Sequence, residues 1–181
     1  MEVNKIKILA ICGSLRESSS NYLIIRTVER MLPTQVEFSI YREMAQIPAF
    51  DDSTIIPPPV AAFRKLINDA DGVFICTPEY AFGVPGALKN AIDWTVGTSE
   101  FVDKPVALIT AASLGKNAHA ALLLIFKAIS ANIPEGSSLL IPYIRTKINE
   151  QGEIKDDGTK EEIMKVMQCL IDLIAEKRRE N

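Results

Sequence analysis

The chain has 181 residues, of which 48% are hydrophobic and 24% are charged, and its formal net charge at pH 7 is −3. This balance is typical of a soluble globular protein with a sizeable core, and we expect a single domain over residues 1–181. The weak negative charge gives no basis for a surface that binds nucleic acid or an anionic membrane, so we expect neither partner.

The three cysteines lie in unlike places, with Cys12 and Cys76 at the ends of apolar runs and Cys169 in a helical pattern. They show no CxxC or Cys/His spacing, so the sequence predicts reduced thiols, no disulfide framework and no metal site. Residues 1–5 lack the basic and apolar segments of a signal peptide, and no apolar run is as long as a membrane span. We therefore expect a cytoplasmic protein.

Predicted strands and helices alternate along the chain. Apolar or alternating runs predict five strands, at residues 6–12, 36–40, 73–76, 105–111 and 139–141. Apolar residues at helical spacing predict five helices, at residues 22–32, 60–68, about 85–94, 118–131 and from 159 onward. The last helix is expected to begin at a capping box, Thr159 to Glu162, and to end in a frayed tail at 176–181. The alternation predicts an α/β domain with a parallel sheet, with the strand at 36–40 near an edge.

The loop between the first strand and the first helix, residues 13–21, combines a glycine, an arginine and several small hydroxyl residues. A helix N-terminus offers unpaired backbone N–H groups and the positive end of its dipole, to which Ser and Asn side chains add donors. The guanidinium of Arg16 can hold a phosphate through two hydrogen bonds. The loop therefore predicts a phosphate site, and a polar loop that merely caps the helix is the alternative.

Two further loops at the ends of predicted strands have an unusual composition. Residues 77–86 are rich in proline, glycine and aromatic residues, and Ser113-Leu114-Gly115 opens the loop before the fourth helix. The long connection at residues 41–59 is expected to be functional or to cover another element. Ligands of open parallel sheets bind beyond the carboxyl ends of the strands, so these loops and loop 13–21 are expected to meet at one site.

Several common catalytic patterns are absent from the sequence. No GxGxxG follows the first strand, which excludes the Rossmann dinucleotide fingerprint, and Gly115-Lys116 lacks the spacing and the Ser/Thr of a P-loop. A Ser-His-Asp triad would need His119, the only histidine of the chain, and the sequence has no GxSxG elbow for it to serve. We expect His119 to be a polar surface or interface residue at the start of its helix.

Three groups of residues stand out in these loops: Gly13-Ser14-Leu15-Arg16 with Ser19 and Asn21, then Pro78-Glu79-Tyr80, and finally the run from Pro85 to Trp94. Together they resemble the NADPH-dependent FMN reductase family, which includes quinone, chromate and azo-dye reductases. The resemblance covers nearly the whole chain, including Ile47 to Asp51. It implies a flavodoxin-like three-layer α/β/α sandwich with a five-stranded parallel sheet of order 2-1-3-4-5. It also implies FMN as the cofactor and NADPH or NADH as the electron donor.

The same resemblance implies a cofactor-binding role for two groups of residues. The FMN phosphate is expected to be held by Ser14, Arg16, Ser19, the Ser20 backbone and Asn21. The isoalloxazine ring is expected to rest against Pro78, Glu79, Tyr80, Ala81 and Phe82, with Ser113 and Gly115 near its other side. Hydride transfer from the nicotinamide to FMN and then to a quinone or similar acceptor is expected to be ping-pong, with no catalytic side chain.

The loop at residues 78–83 also has a physical interpretation. Its backbone N–H groups can bond the pyrimidine edge of a flavin, and the N-terminus of the following helix favours negative charge there. Tyr80 and Phe82 offer apolar faces to the ring or the substrate, and ordinary loop packing is the alternative. We expect Glu79 to order its own loop, and the Asp93-Trp94 pair to fix the end of the helix.

The sequence departs from the family pattern at Ala81, where Asn is usual, at Lys116-Asn117, where a glycine pair is usual, and at His119-Ala120, where Arg-Ala is usual. These changes bear on nicotinamide specificity and on assembly. The helix at 118–131 is apolar almost all round, so we expect a homodimer or homotetramer that covers it. A non-enzymatic FMN electron carrier and a flavin-binding regulatory protein are the alternatives to an enzyme, although carriers tend to be strongly acidic.

Overall fold

The computed structural model of the protein describes residues 5–149, 151 and 153–180. Five strands form one parallel sheet: β1 (Ile6–Cys12), β2 (Val36–Tyr41), β3 (Gly72–Thr77), β4 (Val106–Ala111) and β5 (Ser138–Ile141). Five helices alternate with them: α1 (Ser20–Met31), α2 (Pro58–Asp69), α3 (Gly86–Asp93), α4 (Lys116–Ala128) and α5 (Asp157–Glu180). The strand order is β2-β1-β3-β4-β5, which confirms the predicted sheet.

Helices cover both faces of the sheet, as the nearly continuous apolar runs of its strands require. One apolar core lies between the sheet and α2, α3 and α4, and the other lies between the sheet and α1 and α5. Alternate residues of β1 enter the two cores, Leu9 and Ile11 the first, Ile8 and Ala10 the second. The edge strand β2 alternates between partly buried and exposed residues, as its alternating sequence predicts.

Helices α1, α2, α4 and α5 each begin two residues earlier than the apolar pattern predicts. In α1 and α5 a side chain just ahead of the helix caps it. The Ser19 hydroxyl accepts a hydrogen bond from the backbone N–H of Tyr22 at 3.3 Å and caps α1. The carboxylate of Asp156 accepts one from the N–H of Thr159 at 3.1 Å at the start of α5. The predicted capping box is therefore wrong, since Thr159 lies inside the helix.

The last helix continues to Glu180, so the prediction of a frayed tail from residue 176 is wrong. Basic residues occupy its last turn, where their positive charge interacts favourably with the negative end of the helix dipole. Arg178 also anchors this end to the sheet, because it forms an ion pair at 2.7 Å with Asp71, the residue before β3. Tertiary contacts thus hold a segment that its composition alone would leave loose.

Helix α4 buries only one face, formed by Ala118, Leu122 and Phe126. Leu124, on another face, is 69% exposed. The helix ends at Ala128, three residues before the predicted end. Across the part of the chain that the structure describes, no helix combines the length and the apolar character that crossing a membrane requires.

The long connection between β2 and α2 is fastened to α3 by two side chains of that helix region. Asn90 donates a hydrogen bond to the carbonyl oxygen of Pro48 at 2.8 Å and accepts one from the N–H of Phe50 at 2.8 Å. The indole N–H of Trp94 donates to the same Pro48 carbonyl at 2.9 Å, and the Trp94 and Phe50 rings meet edge to face at 5.1 Å. Asn90 and Trp94 therefore hold this connection, which is a wider role than fixing the helix end.

Candidate active site

A cleft of about 290 Å³ opens beyond the carboxyl ends of β1, β3 and β4. Its volume is near the lower end of the range of roughly 300–1,000 Å³ that small-molecule sites occupy. Eight of the twelve residues named for the cofactor line it: Arg16, Ser19, Ser20, Asn21, Pro78, Glu79, Tyr80 and Ser113. We call the part formed by residues 13–21 the anion end, and the part formed by residues 78–83 and 113–115 the ring end.

The other four named residues do not line the cleft. Ser14 is buried within the anion end. Ala81 and Phe82 form the tip of a turn, and Phe82 is 71% exposed. Gly115 precedes α4 with a φ of +87°, and a Cβ there would lie 2.7 Å from a methyl carbon of Leu140, so the position requires glycine.

The anion end packs closely against β3 and is held in shape by a hydrogen bond within its own loop. Gly13 allows the close approach to β3, because a Cβ at this position would lie 2.0 Å from Oγ1 of Thr77. The Ser14 hydroxyl accepts the N–H of Arg16 at 3.2 Å and lies 3.4 Å from the hydroxyl of Tyr80. Ser14 thus shapes the loop and joins it to the ring end, instead of lining the cleft itself.

The first turn of α1 is open to an anion. The backbone N–H groups of Ser20 and Asn21 have no acceptor among the described residues, as expected at a helix N-terminus. The Ser19 oxygen accepts from Tyr22, which leaves its own proton available to another acceptor. The guanidinium of Arg16 forms no hydrogen bond or ion pair within the described ranges. These donors and the helix dipole together fit a phosphate.

The side chain of Asn21 has a different role from the one expected. It is 2% exposed, its amide nitrogen donates to the carbonyl oxygen of Ala111 at 3.2 Å, and its amide oxygen accepts from the Cys76 thiol at 3.2 Å. It therefore joins the end of β3 to the end of β4. One N–H of the side-chain amide is thus used within the fold, and its second N–H and the backbone N–H are the donors left for a ligand.

The turn at the ring end is a two-residue hairpin turn with unusual residues at its tip. Tyr80 and Gly83 exchange backbone hydrogen bonds at 3.0 and 2.9 Å, so these two N–H groups are not available to a ligand. Ala81 and Phe82 have φ values of +48° and +59°, the arrangement of a type I′ turn, in which Asn-Gly is preferred. Because neither residue is glycine, the turn stores backbone strain.

Glu79 connects the two loops of the ring end. One oxygen of its carboxylate accepts the N–H of Gly115 at 3.1 Å, and the other accepts the N–H groups of Asn117 and Ala118, each at 2.9 Å. A carboxylate at this position satisfies backbone donors at the start of α4 and matches the positive end of its dipole. Glu79 was expected to order its own loop, but its bonds cap a helix 36 residues further along the chain.

His119 lies in the first turn of α4, half-buried rather than on the open surface. Its Nδ1 is 3.0 Å from the hydroxyl of Thr110, a fully buried residue of β4. Burial lowers the pKa of His119 below its usual value of 6.5. The residue therefore connects α4 to the sheet in its neutral form, beneath the ring end.

A fourth wall of the cleft is formed by Tyr143, Ile144, Arg145 and Thr146, which follow β5. The N–H of Tyr143 donates to Ser113 at 3.1 Å, so the wall is attached to the ring end. Reasoning from the sequence missed these residues. Only their place in the chain could have indicated them, because they follow a strand at the same edge of the sheet as the other loops.

The two cysteines beneath the cleft are adjacent on the sheet, because Cys12 of β1 and Cys76 of β3 are register partners. Burial raises the pKa of Cys12 to about 11 and raises that of Cys76 as well, so both remain neutral thiols. In the described ranges, no group of three or more His, Cys, Asp or Glu side chains is arranged to hold a metal ion.

Comparison with known proteins gives matches along most of the chain. A family model described as NADPH-dependent FMN reductase matches residues 6–145. A quinone reductase of Escherichia coli is 36% identical over 171 residues, which cover 86% of this chain and 88% of that one. An NAD(P)H-dependent FMN reductase of Pseudomonas aeruginosa is 32% identical over 177 residues, which cover 91% and 93% of the two chains.

Solved structures show the same fold. FerB, a flavoenzyme NAD(P)H:(acceptor) oxidoreductase from Paracoccus denitrificans, is similar with a TM-score of 0.82. The match covers 94% of this chain and 98% of that one, at 23% sequence identity. This likeness concerns the flavodoxin-like arrangement of the sheet and its helices.

Proposed function

We propose, from the premise that the chain belongs to the NADPH-dependent FMN reductase family, that its cleft holds FMN and serves the reduction of a quinone or a similar small acceptor. The protein is an FMN-dependent NAD(P)H oxidoreductase. The quinone reductase of Escherichia coli, which matches nearly the whole chain, supports quinones as the acceptor class. The observation that carries the proposal is the meeting of an open anion site and an aromatic loop in one cleft.

The residues of the cleft fit FMN, which carries a phosphate at one end and a flat apolar ring at the other. The phosphate would be held by the Arg16 guanidinium, the Ser19 hydroxyl and the N–H groups of Ser20 and Asn21. The ring would rest against residues 78–80, with Ser113 near its other side. Ser14 and Gly115 would act by shaping the loops, and Ala81 and Phe82 by forming the tip of the turn.

When bound, FMN supplies the redox chemistry, because it accepts a hydride from the nicotinamide and passes two electrons to the acceptor. The chain supplies position and electrostatics. The N–H groups of Ala81 and Phe82 have no acceptor among the described residues, so they are the donors of this turn that can bond the ring edge. Tyr80, which lines the cleft and is 53% exposed, offers an aromatic face on which a quinone can stack.

We assign no side chain to proton transfer. The Glu79 carboxylate is occupied by three backbone N–H groups, and the Cys12 and Cys76 thiols are buried and neutral. The donor and the acceptor would bind in turn at the same open face of the ring, which gives ping-pong kinetics.

Steady-state kinetics on the purified holoprotein tests the proposal. NADPH or NADH is varied at several fixed concentrations of a benzoquinone, and the initial rate of nicotinamide oxidation is measured. The proposal expects rapid turnover and parallel lines in the double-reciprocal plot. Converging lines would contradict the ping-pong order, and flavin-containing protein without turnover would favour an electron carrier or a regulatory flavoprotein.

We also propose that the protein is a homodimer or homotetramer that covers the exposed side of α4. The exposed Leu124 supports this, with the partly buried Leu123 and Ile125 beside it in the chain, because exposed apolar surface on a helix is suited to a subunit interface. Sedimentation of Leu124→Glu beside the wild type tests it, with dissociation expected. A monomeric wild type would contradict it.

We further propose that the protein is cytoplasmic. All three of its cysteines are free, as is usual for thiols in a reducing compartment. Cell fractionation tests this location.

A further inference from the structure

The wall formed by residues 143–146 is rigidly built. Two backbone N–H groups, of Tyr143 and Ile144, donate to the carbonyl oxygens of Ser113 and Ala112 at 3.1 and 3.3 Å. The backbone N–H and the hydroxyl of Thr146 both donate to the Tyr143 carbonyl at 2.9 Å, and the Ile144 side chain is buried in the core. A residue on this wall is therefore presented to the cleft from a fixed backbone.

Arg145 lines the cleft from this wall, and its guanidinium has no hydrogen bond or ion pair with any residue that the structure describes. Two neighbouring cations are paired: Arg42 with Glu17 of the anion end, and Lys147, which follows the wall, with Asp156. Arg16, which lines the cleft from the anion end, is the other cation of the lining without a partner in the described ranges. Two unpaired guanidinium groups thus line one small cleft.

Negative charge that could balance these two groups is missing from the lining. Glu79 is its one carboxylate within the described ranges, and its two oxygens bond three N–H groups at the start of α4. The positive end of the α1 dipole adds to the excess. A cleft with two unbalanced guanidinium groups is suited to a ligand that carries more than one negative charge.

We infer that Arg145 is a second phosphoryl-binding residue of the cleft, acting with Arg16. The inference rests on the proposed function. The phosphoryl group can have two sources, the 5′-phosphate of FMN or a phosphate of the nicotinamide donor. Both present the same oxygen acceptors to a guanidinium fork, and titration with different ligands separates them.

The experiment compares Arg145→Ala with the wild type in two measurements. The flavin-free proteins are titrated with FMN and with riboflavin, which lacks the phosphate, by quenching of flavin fluorescence. The FMN-loaded proteins are assayed for the KM of NADPH and of NADH. If FMN is the source, FMN affinity falls about tenfold and riboflavin affinity is unchanged. If the donor is the source, FMN affinity is unchanged and the KM of a nicotinamide rises about tenfold.

Arg30→Ala is the matched control, because it removes an exposed arginine from the far end of α1. It should change neither measurement, and Arg145→Lys should restore part of the loss. Two results overturn the inference: unchanged FMN affinity with unchanged nicotinamide KM, or an equal loss of FMN and riboflavin, which would indicate a role for the ring or the fold. Failure of the proposed function is distinct, since the wild type would then not bind FMN.

Discussion

Asn21 and Tyr80 line the same cleft, yet Asn21 is 2% exposed and Tyr80 is 53% exposed. At the anion end, Asn21 and Ser14 hold backbone segments together, and the donors left for a ligand include backbone N–H groups, the Ser19 hydroxyl and Arg16. At the ring end the aromatic side chains are exposed, and one carboxylate holds two loops in place. The anion end is thus preorganised by buried bonds, whereas the ring end depends on Glu79 and a strained turn.

The largest effect is expected from Arg16, because its guanidinium is proposed to bind the phosphate and has no hydrogen bond or ion pair in the described part of the chain. Arg16→Ala should weaken FMN binding by roughly 1.5–3 kcal/mol, or about 10- to 150-fold, as a charge-assisted contact is lost. Urea unfolding of the flavin-free variant should match the wild type. Unchanged FMN affinity in this variant would contradict the assignment of Arg16 to ligand binding, and with it the contrast between the two ends.

Glu79 should show the opposite pattern, with a loss of stability. Glu79→Ala removes the acceptor of three N–H groups at the start of α4, and the free energy of unfolding should fall by about 1–3 kcal/mol in urea. Glu79→Gln keeps one acceptor oxygen and should lose less. Glu162→Ala, an exposed acid on α5, is the control. Equal stability of Glu79→Ala and this control would show that the ring end is held in another way.

The turn at Ala81 and Phe82 should be improved by glycine. Ala81→Gly relieves a positive φ, and after the added chain entropy of glycine the protein should gain about 0.5–1 kcal/mol in thermal unfolding. Ala62→Gly, on the exposed side of α2, should instead lose about 1 kcal/mol. If both variants lose stability, the turn at the ring end is not strained.

The smallest effect is a pH dependence that comes from beneath the ring end. The pKa of His119 is lowered by burial in the folded state, so below its usual value of 6.5 the unfolded chain takes up the proton first. Stability should therefore be constant above about pH 6.5 and should fall as the pH decreases below it. His119→Gln should abolish this dependence between pH 7.5 and 5.5 in urea unfolding, since the chain has no other histidine. If the pH dependence of stability persists in His119→Gln, it must come from other titrating groups.

The sequence predicted the fold well because its strands are short apolar runs whose burial on both faces leaves one arrangement of layers. For the same reason it predicted that the loops at one sheet edge meet in one cleft. It could not show which side chains turn inward. Asn21 carries the composition of a phosphate ligand, but its amide lies between β3 and β4. The partner of Glu79 is a helix start 36 residues away, which no local pattern indicates.

Residues 143–146 were missed because they form a short segment without a motif, which the backbone bonds to residues 112 and 113 and the buried Ile144 bring to the cleft. The start of α5 was misplaced because Thr159 and Glu162 have the spacing of a capping box. Asp156, three residues earlier, supplies a carboxylate to the N–H of Thr159 instead. The first error concerns long-range backbone contacts, and the second concerns a choice between neighbouring polar side chains.

The central claim is that the anion end holds the phosphate of FMN and the ring end holds its flavin. Fluorescence titration of the flavin-free wild type with FMN and with riboflavin tests it most directly, because the two ligands differ in the phosphate. We predict that FMN binds about 100-fold more tightly than riboflavin, which corresponds to charge-assisted contacts worth about 3 kcal/mol. Equal affinity for the two ligands would contradict the claim.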